Sequence, residues 1–185
     1  MTAPRVVLAT GHMVDLPDRP APRFPADEVP RVTSEVRAAL AAWGVGPEST
    51  VVCGGARGAD LIVAEEAHAR GAQVVLCLAL PQDEFVQRSV DIPGTDWAAQ
   101  FERIARVSDK RVLHNGNDGG REDVFARTNA WMVDVARSLD PSPHAIVIWN
   151  GREGDGPGGT ADMVRRLGVV GPDPRVLVID PSPRS

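Results

Sequence analysis

A short apolar strand, a pair of glycines and a helix follow one another directly in this chain, and this succession constrains its fold most. The run 51–53 is wholly apolar, as in a buried strand, and Gly54 and Gly55 permit a tight turn immediately after it. From Leu61 the apolar residues recur at helical spacing as far as the pair Arg70-Gly71. A strand, glycine turn and helix in this order direct backbone N–H groups and the positive helix end towards an anion, usually a phosphate. The alternative is an ordinary turn whose glycines only let helix and strand pack closely.

The residues of this turn are the first set of predicted ligand-binding residues. Arg57 lies within the turn and is expected to add a bidentate contact to the same phosphate. Asp60 is expected to contact a ribose or to make a structural hydrogen bond. The predicted set in this turn is Gly54, Gly55, Ala56, Arg57, Gly58 and Asp60.

Apolar runs alternate with segments of helical periodicity over the rest of the chain. Apolar strands are predicted near residues 5–9, 74–80, 145–149 and 175–179, and helices over 33–43, 97–107, 121–139 and 160–167. This alternation predicts an α/β fold: a single Rossmann-like domain over residues 1–185, with a mostly parallel sheet and helices on both faces. The proline-rich segment 14–30 is predicted to be a long loop. Its Arg19 and Arg23 are either phosphate contacts or part of a solvated surface.

The overall charge and composition exclude several classes of protein. The formal net charge is −5 and no long basic run is present, so nucleic acid is an unlikely partner. Cys53 and Cys77 lie in apolar runs and are predicted to be buried thiols, and no His/Cys/Asp cluster has the spacing of a metal site. The sequence carries no membrane-spanning run and no signal peptide, which favours a cytoplasmic protein, and it indicates no cofactor.

Polar loops that contain glycine follow three of the predicted strands. Because the carboxyl ends of parallel strands share one edge of a sheet, these loops are expected to meet in one cleft. The third loop, 150–160, combines several glycines with a helix start and an aspartate that suits ribose hydroxyls. Its alternative is a flexible surface loop. The first loop, which follows the strand near residues 5–9, and the third loop add further predicted ligand-binding residues. These are Thr10, Gly11, His12, Asn150, Asp155, Gly158, Gly159 and Thr160.

Two of these segments resemble motifs of the SLOG superfamily. The heptapeptide 54–60, followed by an alanine-rich helix, is similar to the glycine turn of the DNA-processing protein A branch. The tetrapeptide 157–160 resembles a shortened form of the Pro-Gly-Gly-x-Gly-Thr-x-x-Glu motif of the Lonely Guy phosphoribohydrolases, once labelled lysine decarboxylases. The resemblance implies a nucleotide or nucleotide-derived ligand held by a sensor-like or carrier-like domain, and it implies self-association as a homodimer. The apolar face of the 124–139 helix is the feature of the sequence that would serve such a dimer.

The same resemblance implies an alternative function as a hydrolase that cleaves the N-glycosidic bond of nucleoside 5′-monophosphates. The Lonely Guy motif ends in a catalytic glutamate, whereas this chain lacks two residues of the motif and continues with Ala161-Asp162. Glycosidic cleavage needs a positioned carboxylate for the oxocarbenium-like centre and the water. The candidates for this role are Glu65, Asp83 and Asp162.

Overall fold

The computed structural model describes residues 5–113, 121–153, 158–168 and 171–183, and these residues form one six-stranded sheet. All neighbouring strands are parallel, in the order β4-β3-β2-β1-β5-β6. The predicted α/β, Rossmann-like architecture is therefore confirmed. The strands are β1 (Val6–Gly11), β2 (Thr50–Cys53), β3 (Gln73–Leu78), β4 (Asp109–Val112), β5 (His144–Ile148) and β6 (Val176–Ile179).

Helices connect the strands as the periodicity predicts, with one difference at the first helix. The helices are α1 (Val29–Ala42), α2 (Ala59–His68), α3 (Gln82–Phe85), α4 (Trp97–Val107), α5 (Arg121–Leu139) and α6 (Thr160–Leu167). The first helix begins at Val29 rather than near Thr33, because Pro30 lies in the first turn, where the missing N–H costs nothing. A short 3₁₀ turn, Ala26–Glu28, precedes it, so the end of the proline-rich segment is helical.

The four central strands β1, β2, β3 and β5 bury side chains on both faces, which is why they read as continuous apolar runs. On one face Val7, Val51 and Leu76 pack with α1, α2 and α4. On the other face Leu8 and Val52 pack with α5 and α6. Two apolar layers therefore hold the sheet between helices on both sides.

The direction in which the chain winds reverses beside the central strand. From β1 the chain moves outwards through β2 and β3 to β4, and then α5 returns it to β5 on the other side of β1. Adjacent loops diverge at such a point and leave a crevice at the carboxyl ends of the strands, where open α/β sheets bind ligands. The topology thus marks the edge beyond β1 and β5 as the place for a site.

The apolar face of α5 packs against this chain's own sheet. Met132, Val133, Val135 and Ala136 of α5 are buried within the second apolar layer. The apolar face of α5, which was expected to serve a homodimer, therefore packs inside the fold and does not support self-association. Over the described residues, no helix is long and apolar enough to cross a membrane.

Candidate functional site

A cavity of about 480 Å³ opens at the point where the winding reverses, and we call it the switch-point cavity. Its walls come from the ends of β1, β2 and β3, the segment 85–89, one face of α5 and the start of α6. The predicted residues Thr10, Gly11, His12, Gly54 and Ala56 line it. So do Asp60, Gly158, Gly159 and Thr160. The structure therefore brings the three predicted loops together in one site.

The buried polar residues of the described chain are concentrated around this cavity. Nine polar or charged side chains are buried in total. Seven of them line the switch-point cavity, Arg57 lines a second cavity beside it, and Ser49 lines neither. Since a buried polar group costs free energy unless it is hydrogen-bonded, such a concentration is typical of a site that binds a polar ligand. The seven are Thr10, His12, Asp60, Ser89, Thr128, Asn129 and Thr160.

His12 links the first and third loops at the edge of the cavity. Its Nε2 lies 3.0 Å from Oδ1 of Asn150, which also accepts the N–H of Arg152 at 3.1 Å. Its Nδ1 lies 3.4 Å from the hydroxyl of Thr160. Asn150 therefore positions the His12 ring and does not itself line the cavity, while Asp155 lies outside the described residues.

The glycine turn before α2 is occupied by the carboxyl group of Asp60. Its oxygen accepts the N–H of Ala56 at 3.2 Å, and the N–H groups of Gly54 and Gly55 also donate to this carboxyl group. Burial raises the pKa of Asp60 to about 7, although the hydrogen bonds of these N–H groups lower it. The N–H groups predicted to hold a phosphate are therefore occupied by a side chain of the same turn.

The other donors near the start of α2 are also satisfied within the protein. The N–H of Arg57 donates to the carbonyl of Ser89 at 2.9 Å, and that of Ala59 to the carbonyl of His12 at 3.2 Å. Gly55 and Gly58 do not line the switch-point cavity. Gly54 and Ala56 therefore contribute to the cavity wall, and the turn binds the side chain of Asp60. The phosphate cradle of residues 54–58 stays a prediction.

The Arg57 side chain points away from the switch-point cavity. Its Nε donates to the carbonyl of Val14 at 2.9 Å, and its guanidinium lines the second cavity. Burial lowers the pKa of Arg57, and the nearby Asp15 partly offsets this effect. The structure therefore directs Arg57 towards the loop after β1, and its contact with a phosphate held by its own turn stays a prediction.

The start of α6 differs from the start of α2, because its N–H groups remain available. Gly159 precedes the helix in an extended conformation and forms no side-chain cap. Within the described residues, the N–H groups of Thr160, Ala161 and Asp162 have no hydrogen-bond partner. These are the first N–H groups of the helix, which intrahelical bonds leave unsatisfied and which attract an anionic or oxygen-bearing group.

Asn129 holds this helix start against α5. Its amide donates to the carbonyl of Gly159 at 3.3 Å and to Oδ2 of Asp162 at 3.0 Å, and Oδ2 also accepts from Arg166 at 2.8 Å. Partial burial opposes ionisation of Asp162, but the hydrogen bonds from Arg166 and Asn129 hold its pKa below the ordinary value. Asp162 therefore stays a paired carboxylate that positions α6.

None of the three predicted catalytic acids lines the cavity. Glu65 lies on the outer face of α2, where it accepts hydrogen bonds from Gln100 and, at 2.9 Å, from Arg103. Asp83 lies in the first turn of α3, and Asp162 is held by Asn129 and Arg166 as described. Helical spacing turns these carboxylates away from the cavity, so the structure does not bring the three predicted acids into it, and their catalytic role stays a prediction. Among the described residues, no group of three His, Cys, Asp or Glu side chains could hold a metal ion.

Sequence reasoning missed the walls that come from α5 and from the segment after α3. Phe125, Thr128, Asn129 and Met132 recur at helical spacing on α5 and face the cavity together. Phe85, Arg88 and Ser89 reach it from α3 and from the π-helical turn Val86–Val90. The mixture of polar and apolar residues at helical spacing on α5 is a sequence signal for a cavity wall. The sequence has no corresponding signal for the π-helical turn. Such wide helical turns occur frequently at functional sites.

Comparisons with known proteins give a likeness to solved structures alone. No family model matches the chain, and no curated protein matches it. The solved structure of DNA processing protein A from Streptococcus pneumoniae aligns with a TM-score of 0.37 and 13% sequence identity, over 90% of this chain and 56% of that chain. The fold assignment therefore rests on the strand order and connections of this chain itself.

Proposed function

We propose that this protein binds a nucleotide or nucleotide-derived small molecule in the switch-point cavity, as a sensor-like or carrier-like domain of the SLOG type. The observation that carries the proposal is the combination of a cavity at the reversal of the sheet with the available N–H groups of Thr160, Ala161 and Asp162 at its edge. The volume of about 480 Å³ lies within the range of small-molecule sites.

The cavity presents two kinds of surface to a ligand. Phe85, Phe125 and Met132 supply an apolar and aromatic wall, which suits the flat faces of a base. Thr128, Asn129 and other polar groups supply donors and acceptors, which suit ribose hydroxyls and the base edge. A nucleoside needs both surfaces, whereas an inorganic anion needs only the second.

The distribution of charge favours an anionic group near α6. Asp60 is the one carboxylate among the described lining residues, and the N–H groups of its own turn surround it. The α6 start contributes the positive end of a helix dipole, and Arg88 contributes a cation. We therefore place a phosphate of the ligand beside Thr160. The net charge of −5 continues to disfavour nucleic acid.

Hydrolysis of an N-glycosidic bond is less well supported. The three candidate acids are outside the cavity, and Asp60 is engaged by three N–H groups. Binding without cleavage is accordingly the function that the site supports best.

Two substitutions, each of an alanine by phenylalanine, test the proposal. Ala56→Phe places a ring at the wall of the switch-point cavity, whereas Ala99→Phe places the same ring on the exposed face of α4. We expect Ala56→Phe to weaken nucleotide binding by at least about tenfold because it removes ligand volume, a loss of about 1.4 kcal/mol. Ala99→Phe should bind like the parent.

The measurement is a titration of nucleoside mono-, di- and triphosphates, ADP-ribose and cyclic nucleotides by calorimetry, with chromatography of the same samples. Circular dichroism of both variants verifies folding. Binding that survives Ala56→Phe in a folded protein would contradict the site, and free base in the chromatogram would replace the binding function with the hydrolase.

A further inference from the structure

A second cavity of about 550 Å³ lies beside the first, and we call it the arginine cavity. Residues 12–23 of the loop after β1 form most of it, and Arg57 and Arg88 complete it. His12, Met13 and Arg88 line both cavities. The two spaces therefore adjoin at these three residues.

The arginine cavity carries an excess of positive charge. Arg19, Arg23, Arg57 and Arg88 line it, against Asp15 and Asp18. This excess occurs in a protein whose net charge is −5, so it is a local feature and not a property of the whole surface. Arginine guanidinium groups recognise phosphate oxygens through paired N–H donors.

Arg57 gives this cavity a fixed, partly desolvated cation. Only 6% of Arg57 is exposed, and its Nε is held by the carbonyl of Val14 at 2.9 Å. A guanidinium fixed in this way keeps its terminal N–H groups for a second partner without further loss of side-chain freedom. Burial of a cation is costly, and an anion bound beside it offsets that cost.

Asp15, an acidic residue that lines the arginine cavity, already accepts hydrogen bonds from several donors. Oδ2 of Asp15 accepts the backbone N–H groups of Arg23 at 2.7 Å and Phe24 at 2.9 Å. Its Oδ1 lies 3.4 Å from Nε of Arg19. Asp15 therefore shapes the loop so that it presents arginines. Glu84 lies 3.3 Å from Arg88, so the four cations exceed the carboxylates of Asp15, Asp18 and Glu84 by one.

We propose that the arginine cavity binds the distal phosphates of the ligand, so that the ligand is a nucleoside carrying two or more linked phosphates. The first phosphate lies beside Thr160, and the chain continues past His12 and Met13 to Arg57. This inference rests on the proposed function, because it assigns the nucleoside to the switch-point cavity. It narrows the ligand class from nucleotides in general to nucleoside polyphosphates and diphosphate-bridged dinucleotides.

The test compares two double variants that change net charge equally. Arg19→Gln with Arg23→Gln removes two cations of the arginine cavity, and Arg37→Gln with Arg103→Gln removes two exposed cations that lie outside both cavities. Each variant is titrated by calorimetry in magnesium-free buffer with AMP, ADP, ATP and inorganic tripolyphosphate. A set with guanine nucleotides extends the measurement to a second base.

We expect the parent and the Arg37/Arg103 control to bind a nucleoside triphosphate at least tenfold more tightly than the monophosphate. In the Arg19/Arg23 variant this ratio should fall below threefold, and tripolyphosphate binding should be lost. Equal affinities for mono- and triphosphates in the parent, or equal ratios in both double variants, would overturn this inference and leave the proposed function standing. Binding of tripolyphosphate without any nucleotide would instead overturn the proposed function and the shared ligand together.

Discussion

Helices α2 and α6 both follow glycine turns at the same edge of the sheet, but the backbone N–H groups at their starts differ in their partners. At α2 the carboxylate of Asp60 accepts the N–H groups of the turn, and Ala59 donates to the carbonyl of His12. At α6 the first N–H groups have no partner within the described residues. A glycine turn before a helix therefore presents backbone N–H donors, but a side chain of the same turn can occupy them.

The difference between the two starts has a direct physical cause. An aspartate two residues inside α2 can reach back to the turn, as Asp60 does. In α6 the equivalent early acid is Asp162, but Asn129 and Arg166 hold its carboxylate. The cation and the amide keep that carboxylate away from the helix N-terminus, which leaves the N–H groups open to a ligand.

The start of α2 should be sensitive to substitution of its glycine. Gly58 has φ +88°, and a Cβ there would lie 2.7 Å from the Val14 nitrogen and 2.8 Å from the His12 oxygen. We expect Gly58→Ala to lower the free energy of unfolding by about 4 kcal/mol, from backbone strain and overpacking together. Gly94→Ala is the matched control, because Gly94 has φ +80° and nothing lies within 4 Å of its added Cβ. Gly94→Ala should lower the free energy of unfolding, measured with denaturant, by about 1 kcal/mol. Equal losses in the two variants would show that the loop after β1 does not pack tightly against this turn.

The buried carboxyl group at α2 predicts a pH dependence of stability whose sign is opposite to that of Asp162 in α6. The pKa of Asp60 is raised from 3.8 to about 7 in the folded state, so its ionisation is unfavourable to folding. The stability that the protonated form provides is present below pH 3.8 and is lost as the pH rises to about 7. Relative to Asp60→Asn, the parent should lose about 3 kcal/mol of unfolding free energy between about pH 4 and about pH 7.

Unfolding of both proteins at several pH values measures this difference. Taking the difference between the two curves removes the contribution of acids with lowered pKa, such as Asp162, whose effect on stability has the opposite sign. A difference that stays constant with pH would mean that the turn does not hold a desolvated carboxylate.

The fold could be predicted because its information is local. Runs such as 74–80 and 145–149 are long enough for strands and too short for helices, and the intervening periodicity places the helices. The meeting of three loops followed from their positions at strand ends, since parallel strands place those ends at one edge. The first turn of α1 was missed because a proline that breaks a helix interior is acceptable at its start.

The details of the site could not be predicted because they depend on contacts between distant segments. Arg57 turns away from its own turn because its partner is the carbonyl of Val14, 43 residues earlier in the chain. Asp60 closes the α2 turn through a rotamer choice that burial imposes and that a motif does not encode. Glu65 faces Gln100 and Arg103 because the opposite face of α2 is used for the core. The sequence therefore predicted which loops meet at the candidate cavity, and tertiary packing decided which side chains line it.

The most direct test of the claim that the open start of α6 binds the ligand compares two substitutions of Thr160. Thr160→Val removes the hydroxyl beside His12 and keeps the backbone N–H, whereas Thr160→Pro also removes the N–H. Proline is accepted here because Thr160 is the first helical residue and Gly159 is extended. The two variants differ mainly in one backbone donor.

Nucleotide titration by calorimetry measures both affinities against the parent. We predict that Thr160→Val weakens binding about threefold and that Thr160→Pro weakens it about tenfold further, since a hydrogen bond to a charged group contributes about 1.5–3 kcal/mol. Equal affinities of two folded variants would contradict the account, because the α6 N–H groups would then hold no part of the ligand.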